Sequence, residues 1–313
     1  MNRSSPARTI ALYAVLALFA LLFLGVYLIG SHRGEPVPLV FLAMWQAHYL
    51  QRAFIYPFLI QIATSFKTDP DATANPLSLV PNPFDLTTWK RMLGLSDDSA
   101  VPVTTWVRNS VLVTLVVTAC RVFFDSLAGY ALSRLRFRGR TALFAGLLAI
   151  MSVPGVALLI PKFLMVNYLG IYDTYAGMIL PLIIDAAGIF IMKQFFDSVP
   201  VSIEEAARMD GASIFRTFWS VVLPMAKPAL ITLTILSFQG SWNEFTNVLV
   251  AVQNPNLYTL PRGLADLVSG SLGAGTQYPL KLSAALLATV PVAVVFIVFQ
   301  RYFVRGANEG AER

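Results

Sequence analysis

The chain has 313 residues, 56% of them hydrophobic and only 13% charged, and several apolar runs reach about 18 residues or more, which excludes a soluble globular domain. The formal charge of +6 comes largely from arginines in short segments beside apolar runs, where positive charge sets membrane orientation; it does not point to nucleic acid. One cysteine, Cys120, excludes an intrachain disulfide; two histidines, His32 and His48, leave most of the chain without a His-based catalytic or metal site; and no G-x-x-x-x-G-K-[ST] loop is present, so any ATP must be bound by another subunit.

The N-terminus is basic, with Arg3 and Arg8, and leads into an apolar run from Ile10 to Ile29. The run is long and no small-x-small cleavage site follows it, so it reads as a retained span rather than a signal peptide. After a polar break at 31–35 comes a less clean stretch, 37–63, with Gln46, His48, Gln51 and Arg52, residues that are costly against lipid. Residues 64–105 are rich in Pro, Asn and Asp and read as an extramembrane loop with short elements such as 85–93. A span at 106–132 ends in Arg134, Arg136, Arg138 and Arg140, the clearest cytoplasmic marker in the chain. Further spans are expected at 142–160, broken at Val153-Pro154-Gly155, and at 175–196, with an outer loop at 161–174 between them.

Pro200 to Pro228 is the longest polar, amphipathic interval in the second half. Ser202 and Glu205 have capping-box spacing, predicting a short helix over 204–209 that ends at Asp210-Gly211. A second helix is expected from about 212 to 222, stopping at Leu223-Pro224, with Ile214, Phe215, Phe218, Trp219 and Val222 on one face. Two short helices at an angle make a knob that a soluble partner could grip; without such a partner they read as an amphipathic pair at the membrane interface. Spans at 226–252 and 280–302 follow, separated by an outer loop at 253–279, and Arg301 and Arg305 hold the 306–313 tail inside. Alternation from the arginine loop puts the knob in the cytoplasm and residues 64–105 outside. Arg3 and Arg8 put the N-terminus inside as well, so the two apolar stretches before residue 64 must make an odd number of crossings. Three resolutions are open: the second stretch lies in the interface or re-enters without crossing, the N-terminus lies outside, or the first run does not cross.

The knob carries a signature. Glu205-Ala206-Ala207, then Gly211, Val221 and Leu223-Pro224, match the pattern EAA-x3-G-x9-I-x-LP with Val for Ile, so the chain resembles the permeases of ABC importers. SFKT at 65–68, NSxxVT at 109–114, AGYALSRLRFRGR at 128–140, GIYDTYAGMILP at 170–181 and FQGSWNEF at 238–245 resemble the second-permease form of the maltose-type, carbohydrate-importing branch. The resemblance covers roughly residue 56 to the C-terminus. Removing 25–55 joins Leu24 to Tyr56 in one uninterrupted span, the first one expected of the family, so 25–55 reads as an insertion, natural or engineered. Part of it, AMWQAHYLQRAFIYPF, faintly resembles a segment of steroid 5α-reductase-like membrane enzymes.

The resemblance implies an all-α polytopic fold with six core spans plus an extra N-terminal apolar segment: 1–63 with the insertion, an extracytoplasmic loop 64–105, a core of five spans over 106–305 and a short cytoplasmic tail. It implies a bacterial inner-membrane subunit that forms a translocation path with a homologous second permease. An ABC ATPase dimer would bind below, an extracytoplasmic solute-binding protein above, and a di- or oligosaccharide or related carbohydrate would be the cargo. Glu204, Glu205, Ala206, Ala207, Asp210, Gly211, Leu223 and Pro224 are the expected ATPase-coupling residues, with Glu205 either capping the knob or meeting a basic group of the ATPase, or both, and Gly211 setting the angle between its helices. Trp242, Asn243 and Glu244 read as mid-span and either line the path, since aromatic faces and amides suit sugar rings, or hydrogen-bond between helices. Arg121 and Asp125, four residues apart, are expected to neutralise each other, whereas Asp185 has no obvious partner. No catalytic residue, cofactor or metal site is expected. A membrane reductase built around His48 and a non-transporting scaffold are the competing classes; NADPH binding would favour the first, and absence of substrate-stimulated ATPase activity the second.

Overall fold

The structure, a computed structural model, describes residues 55–95, 102–269 and 277–311. The first apolar run, the insertion up to residue 54 and His48 lie outside the described residues. The chain divides into two units, one ending at Gln61 and the other running from Ile62 to Arg313. The described part of the first is the beginning of an apolar helix, α1 (Ile55–Thr64). All regular structure among the described residues is helical.

Residues 65–93 carry short helices, one of them inside the expected element at 85–93, and fold together as a cap. Phe66 stacks on Phe84 at 5.1 Å and on Trp89 at 5.9 Å, between the short helices α2 (Asp69–Ala74) and α3 (Thr87–Met92). Lys67 is fully buried and donates to the Asn75 carbonyl at 2.7 Å. Asp71 accepts from the Asn75 side chain at 3.0 Å and from the Asn82 backbone N–H at 3.0 Å.

The spine is α4 (Val103–Arg134), 32 residues long. At 1.5 Å per residue it measures about 48 Å, enough to cross a bilayer and protrude. α5 (Arg140–Met151) follows, then a 3₁₀ turn at Gly155–Leu158 and α6 (Leu159–Tyr168). The two limbs are bent by 103° at the expected Pro154-Gly155 break. α6 continues through 161–168, where an outer loop was expected. Pro161 lies in its first turn, where a missing N–H costs nothing.

The span predicted over 175–196 is observed over 175–198, but it is interrupted: α7 (Tyr175–Ile179) and a 3₁₀ turn precede α8 (Ala186–Ser198). The knob comprises α9 (Val201–Met209) and α10 (Ile214–Met225), and α10 meets α11 (Lys227–Trp242) at 81°. After α12 (Thr246–Ala251), the segment expected to be an outer loop contains α13 (Leu260–Ser269). α14 (Tyr278–Ala311) closes the chain with Pro291 inside it. Among the described residues, three helices are long and apolar enough to cross a membrane, or up to five segments if each bent pair is one span.

α4 packs most extensively against α8 and α11. Gly129 makes the first contact close: a Cβ there would lie 2.7 Å from Met192 Cβ and 2.9 Å from the Lys193 nitrogen. One apolar cluster gathers around Trp106, Met178, Trp242 and Leu260, and a second around Tyr130, Met192, Phe196, Phe218 and Leu233. The two clusters occupy opposite ends of α4.

Two outcomes follow from this packing. Gly129→Leu should force α4 and α8 apart and lower stability by about 1–3 kcal/mol, the usual cost of overpacking, read as a lower unfolding midpoint in detergent. In the cap, the Asn75 side chain and the Asn82 N–H hold the Asp71 carboxyl below its ordinary value. That contribution is complete above the unfolded value of about 3.9 and is lost as pH falls through the lower folded value. Protection of amides in 65–93, taken relative to the intrinsic exchange rate at each pH, should therefore fall on acidification, and less so in Asp71→Asn.

Candidate functional site

The knob begins on an unsatisfied helix end. α8 stops at Ser198, leaving its last carbonyls without intrahelical partners. Arg134, the last residue of α4, fills this gap: its Nη2 donates to the carbonyls of Phe196 and Val199. The same guanidinium turns its Nε to Glu204 Oε1 at 3.0 Å. The other Glu204 oxygen accepts from the Tyr130 hydroxyl at 3.2 Å and lies 3.8 Å from Arg208. Glu204 is 2% exposed, so this carboxylate is an internal anchor and not a surface contact. Arg140 completes the turn by donating to the Ser133 carbonyl at 2.9 Å, and Ser133 donates to Asp197 at 2.6 Å.

Rings reinforce the anchor. Tyr130 lies 5.7 Å from Phe196 and 4.9 Å from Phe218, so one residue from each of α4, α8 and α10 meets in an aromatic trio. Phe218 opens a π-helical turn over Phe218–Val222. Pro224 explains its place: a proline ring clashes with the carbonyl four residues back, here Ser220, and the wider turn relieves that clash.

The expected capping box is not formed. α9 starts at Val201 with Pro200 as its N-cap and has no side-chain cap, so Ser202 is already inside the helix. Proline's preset φ suits the boundary, and the helix starts a turn earlier than the Ser202 spacing suggested. Glu205 is therefore not a capping residue; its side chain is exposed. The true cap belongs to α10, where the Ser213 hydroxyl accepts from the Arg216 N–H at 3.3 Å. α10 also runs through Leu223-Pro224 to Met225 instead of stopping before them.

Gly211 sits at φ +79°, a backbone region that L-residues rarely enter. Its N–H donates to the Arg208 carbonyl and the Ala212 N–H to the Ala207 carbonyl, both at 3.0 Å. These two bonds are the Schellman stop of α9 and set the direction of α10. Glu205, Ala206, Asp210, Gly211 and Pro224 are exposed, Ala207 and Leu223 half-buried. Around them Val201, Met209, Ile214, Phe215 and Trp219 present apolar side chains outward, Met209 to 88%. Tyr130, Arg134 and Phe218 are the site residues that sequence reasoning missed as anchors. The available signal was the i, i+4 spacing of Tyr130 and Arg134, one helical face leading into the knob.

The second candidate group divides. Trp242 is buried, stacks on Phe238 at 6.1 Å and donates Nε1 to the Ala288 carbonyl at 2.8 Å, so it joins α11 to α14. Asn243 caps α11, is exposed and donates to the Gln239 carbonyl at 3.0 Å. Glu244 accepts the Asn247 N–H at 2.7 Å at the start of α12. The three mark a helix break and not the middle of a helix.

Arg121 and Asp125 are not bonded to each other. Arg121 Nε donates to the Leu182 carbonyl at 2.6 Å and Asp125 accepts the Asp185 N–H at 3.0 Å. Together they hold both sides of the interruption between α7 and α8. Asp185 itself caps α8 through the Gly188 N–H at 3.2 Å. At the end of α4 remote from the knob, Trp106 donates to the Pro255 carbonyl at 3.0 Å. Asn109 donates to the carbonyls of Asn256 and Tyr258 at 2.8 and 3.0 Å, and the Ser110 hydroxyl accepts the Leu260 N–H at 2.7 Å. Among the described residues, no group of three or more His, Cys, Asp and Glu side chains could hold a metal.

Residues 125–309 match the family described as binding-protein-dependent transport system inner membrane component. The chain is 32% identical over 256 residues to the arabinooligosaccharides transport system permease protein AraQ of Halalkalibacterium halodurans, covering 82% of this chain and 90% of that protein. It is 28% identical over 257 residues to the sn-glycerol-3-phosphate transport system permease protein UgpE of Yersinia enterocolitica, covering 80% and 90%. Among solved structures it is similar to a chain of a bacterial ABC transporter involved in the import of the acidic polysaccharide alginate. The TM-score is 0.73 at 26% identity, over 86% of this chain and 98% of that one.

The two adjacent glutamates should separate cleanly on mutation. Glu204→Ala strands the Arg134 charge and should destabilise the knob by about 3–5 kcal/mol, whereas Glu205→Ala should stay within about 0.5 kcal/mol. Limited proteolysis across 200–228 reads the difference as faster cleavage in the first variant only.

Proposed function

The chain belongs to the family of binding-protein-dependent transport system inner membrane components, and from that premise we propose how its parts serve import. It is a permease subunit of an ABC importer for carbohydrate, and family members are transport subunits, not enzymes themselves. The cargo is a di- or oligosaccharide or a related carbohydrate. The path is formed with a second, homologous permease in the bacterial inner membrane, an ATPase dimer binds at the knob, and a solute-binding protein docks at the opposite end. The knob and the C-terminus face the cytoplasm, in line with the four arginines between 134 and 140.

One observation carries the coupling role: the knob is clamped inward and open outward. Its inner side is tied to α4 and α8 through Arg134, Glu204 and the aromatic trio. Its outer side offers the Glu205 carboxylate, small alanines and an apolar ridge of Val201, Met209, Ile214, Phe215 and Trp219. A surface of that kind suits a groove on a soluble subunit, with Glu205 paired to a basic group there. Closure of the ATPase on ATP would then push on the knob, and the clamp would pass the displacement to the spans as rigid-body motion. Glu204, Ala207 and Leu223 support the ridge from within, while Ala206, Asp210, Gly211 and Pro224 shape its outline. Of the three candidates for lining the path, Asn243 is the exposed one, although its amide nitrogen donates to the Gln239 carbonyl. Trp242 and Glu244 are engaged within this chain.

Reconstitution with the partner permease, ATPase and binding protein, followed by a panel of sugars, tests the assignment. Gly211→Leu places an L-residue at φ +79°, straining the turn by about 1–2 kcal/mol and redirecting α10. The variant should insert normally and allow ATP hydrolysis, yet import at least tenfold less sugar per ATP. Normal import would remove Gly211 from the coupling role. Glu205→Arg should weaken co-purification of the ATPase, with recovery on reversing the facing basic residue.

A further inference from the structure

The Arg121 side chain is used only in part. It lies on α4, 13 residues from Arg134 and 18 from Val103, or roughly 20 Å and 27 Å along the axis, deep within the span. Its Nε is fixed on the Leu182 carbonyl at 2.6 Å. The two terminal nitrogens make no hydrogen bond or ion pair with any described residue, and the side chain is half-buried. The carboxylate one turn along α4, Asp125, is engaged elsewhere: one oxygen takes the Asp185 N–H and the other lies against Gly188. On the facing helix, Gly240 lies beside the guanidinium: a Cβ there would be in van der Waals contact with Nη1 at 3.6 Å, and the glycine, itself exposed, puts no side chain over it. Gln239 and Asn243, one turn apart on α11 beside that glycine, are exposed polar residues as well.

A guanidinium cannot give up its proton, and a charge facing hydrocarbon is costly, so an open cation at this depth requires water or an anion. Its remaining fork of donors fits carboxylate or phosphate oxygens in pairs. Resting on the carbohydrate-permease reading above, we propose that Arg121 faces the translocation path and binds the anionic group of an acidic carbohydrate, with Gln239 and Asn243 meeting its hydroxyls. The Leu182 carbonyl holds the guanidinium in place, and Asp125 balances its charge without blocking it. The clamp on the interrupted span thereby doubles as the cargo's anion subsite, and loading the subsite bears directly on the α7–α8 break.

The test uses the reconstituted importer in vesicles with three probes: a neutral disaccharide, a uronic-acid disaccharide and a sugar phosphate. Wild type should import at least one of the two anionic probes, and which of them it prefers distinguishes carboxylate from phosphate. Arg121→Gln keeps an N–H donor for the Leu182 carbonyl but removes the charge. It should raise the half-saturating concentration for the anionic probe at least tenfold and leave the neutral probe unchanged; Arg121→Lys should restore most of the difference. An equal effect on neutral and anionic probes would reduce Arg121 to a structural brace. Separation of the two permeases in Arg121→Gln would reveal an acidic group of the second permease as its true partner. Import of the neutral probe alone by wild type would also overturn the proposal, while leaving the carbohydrate-permease reading intact. Import of none of the three would remove both.

Discussion

At one end of α4 the guanidinium of Arg134 meets three acceptors from two other elements: the carbonyls of Phe196 and Val199, and the carboxylate of Glu204. The first two are hydrogen bonds and the third is a buried ion pair. Their convergence answers two problems at once. The C-terminus of α8 has orphan carbonyls and the negative end of a helix dipole, both of which favour a cation. The buried Glu204 needs a partner charge, or its desolvation would be prohibitive. With both needs met by one rigid planar group, the direction in which α9 leaves α8 is fixed. The position of the whole knob depends on that exit.

The same economy recurs along α4. Polar residues on this helix serve the backbones of other segments. Trp106, Asn109 and Ser110 take up backbone groups of 255–260, Arg121 and Asp125 hold the interruption at 182–185, and Arg134 closes α8. A bilayer offers no water to an open carbonyl or N–H, so broken helices persist there only when side chains replace the lost partners. α4 is unbroken, and that continuity lets it supply those replacements to elements that are not.

Much of this was legible in the sequence, and the limits have physical reasons. The apolar runs located the spans because hydrophobic length is a property of a single segment. Gly211 was readable as a left-handed stop because Asp-Gly after a helical run has few other uses. Spacing misled where two local solutions compete: Ser202 and Glu205 fit a capping box, but Pro200 starts the helix sooner. Asp185 meets the Gly188 N–H three residues on, a capping spacing that the sequence does carry. The partners of Arg121 and Asp125 were out of reach, since they are backbone groups about sixty residues away and leave no pattern in side-chain order. For the same reason Glu204, and not its neighbour, could not be singled out as the buried one. Trp242 read as a sugar platform because its type suits that role; its hydrogen bond to Ala288 depends on a helix that follows 36 residues later.

Gly129 bears on how force travels. It lies five residues before Arg134, so the near-contact of α4 with Met192 on α8 falls within two helical turns of the guanidinium clasp. Two fixed points that close together leave a pair of rods little freedom to slide or splay at this end. A load applied to the knob therefore has no soft joint in which to dissipate before reaching both rods. At this end they form one stiff lever, and the next break along α8's side is the interruption at 182–185, midway along α4.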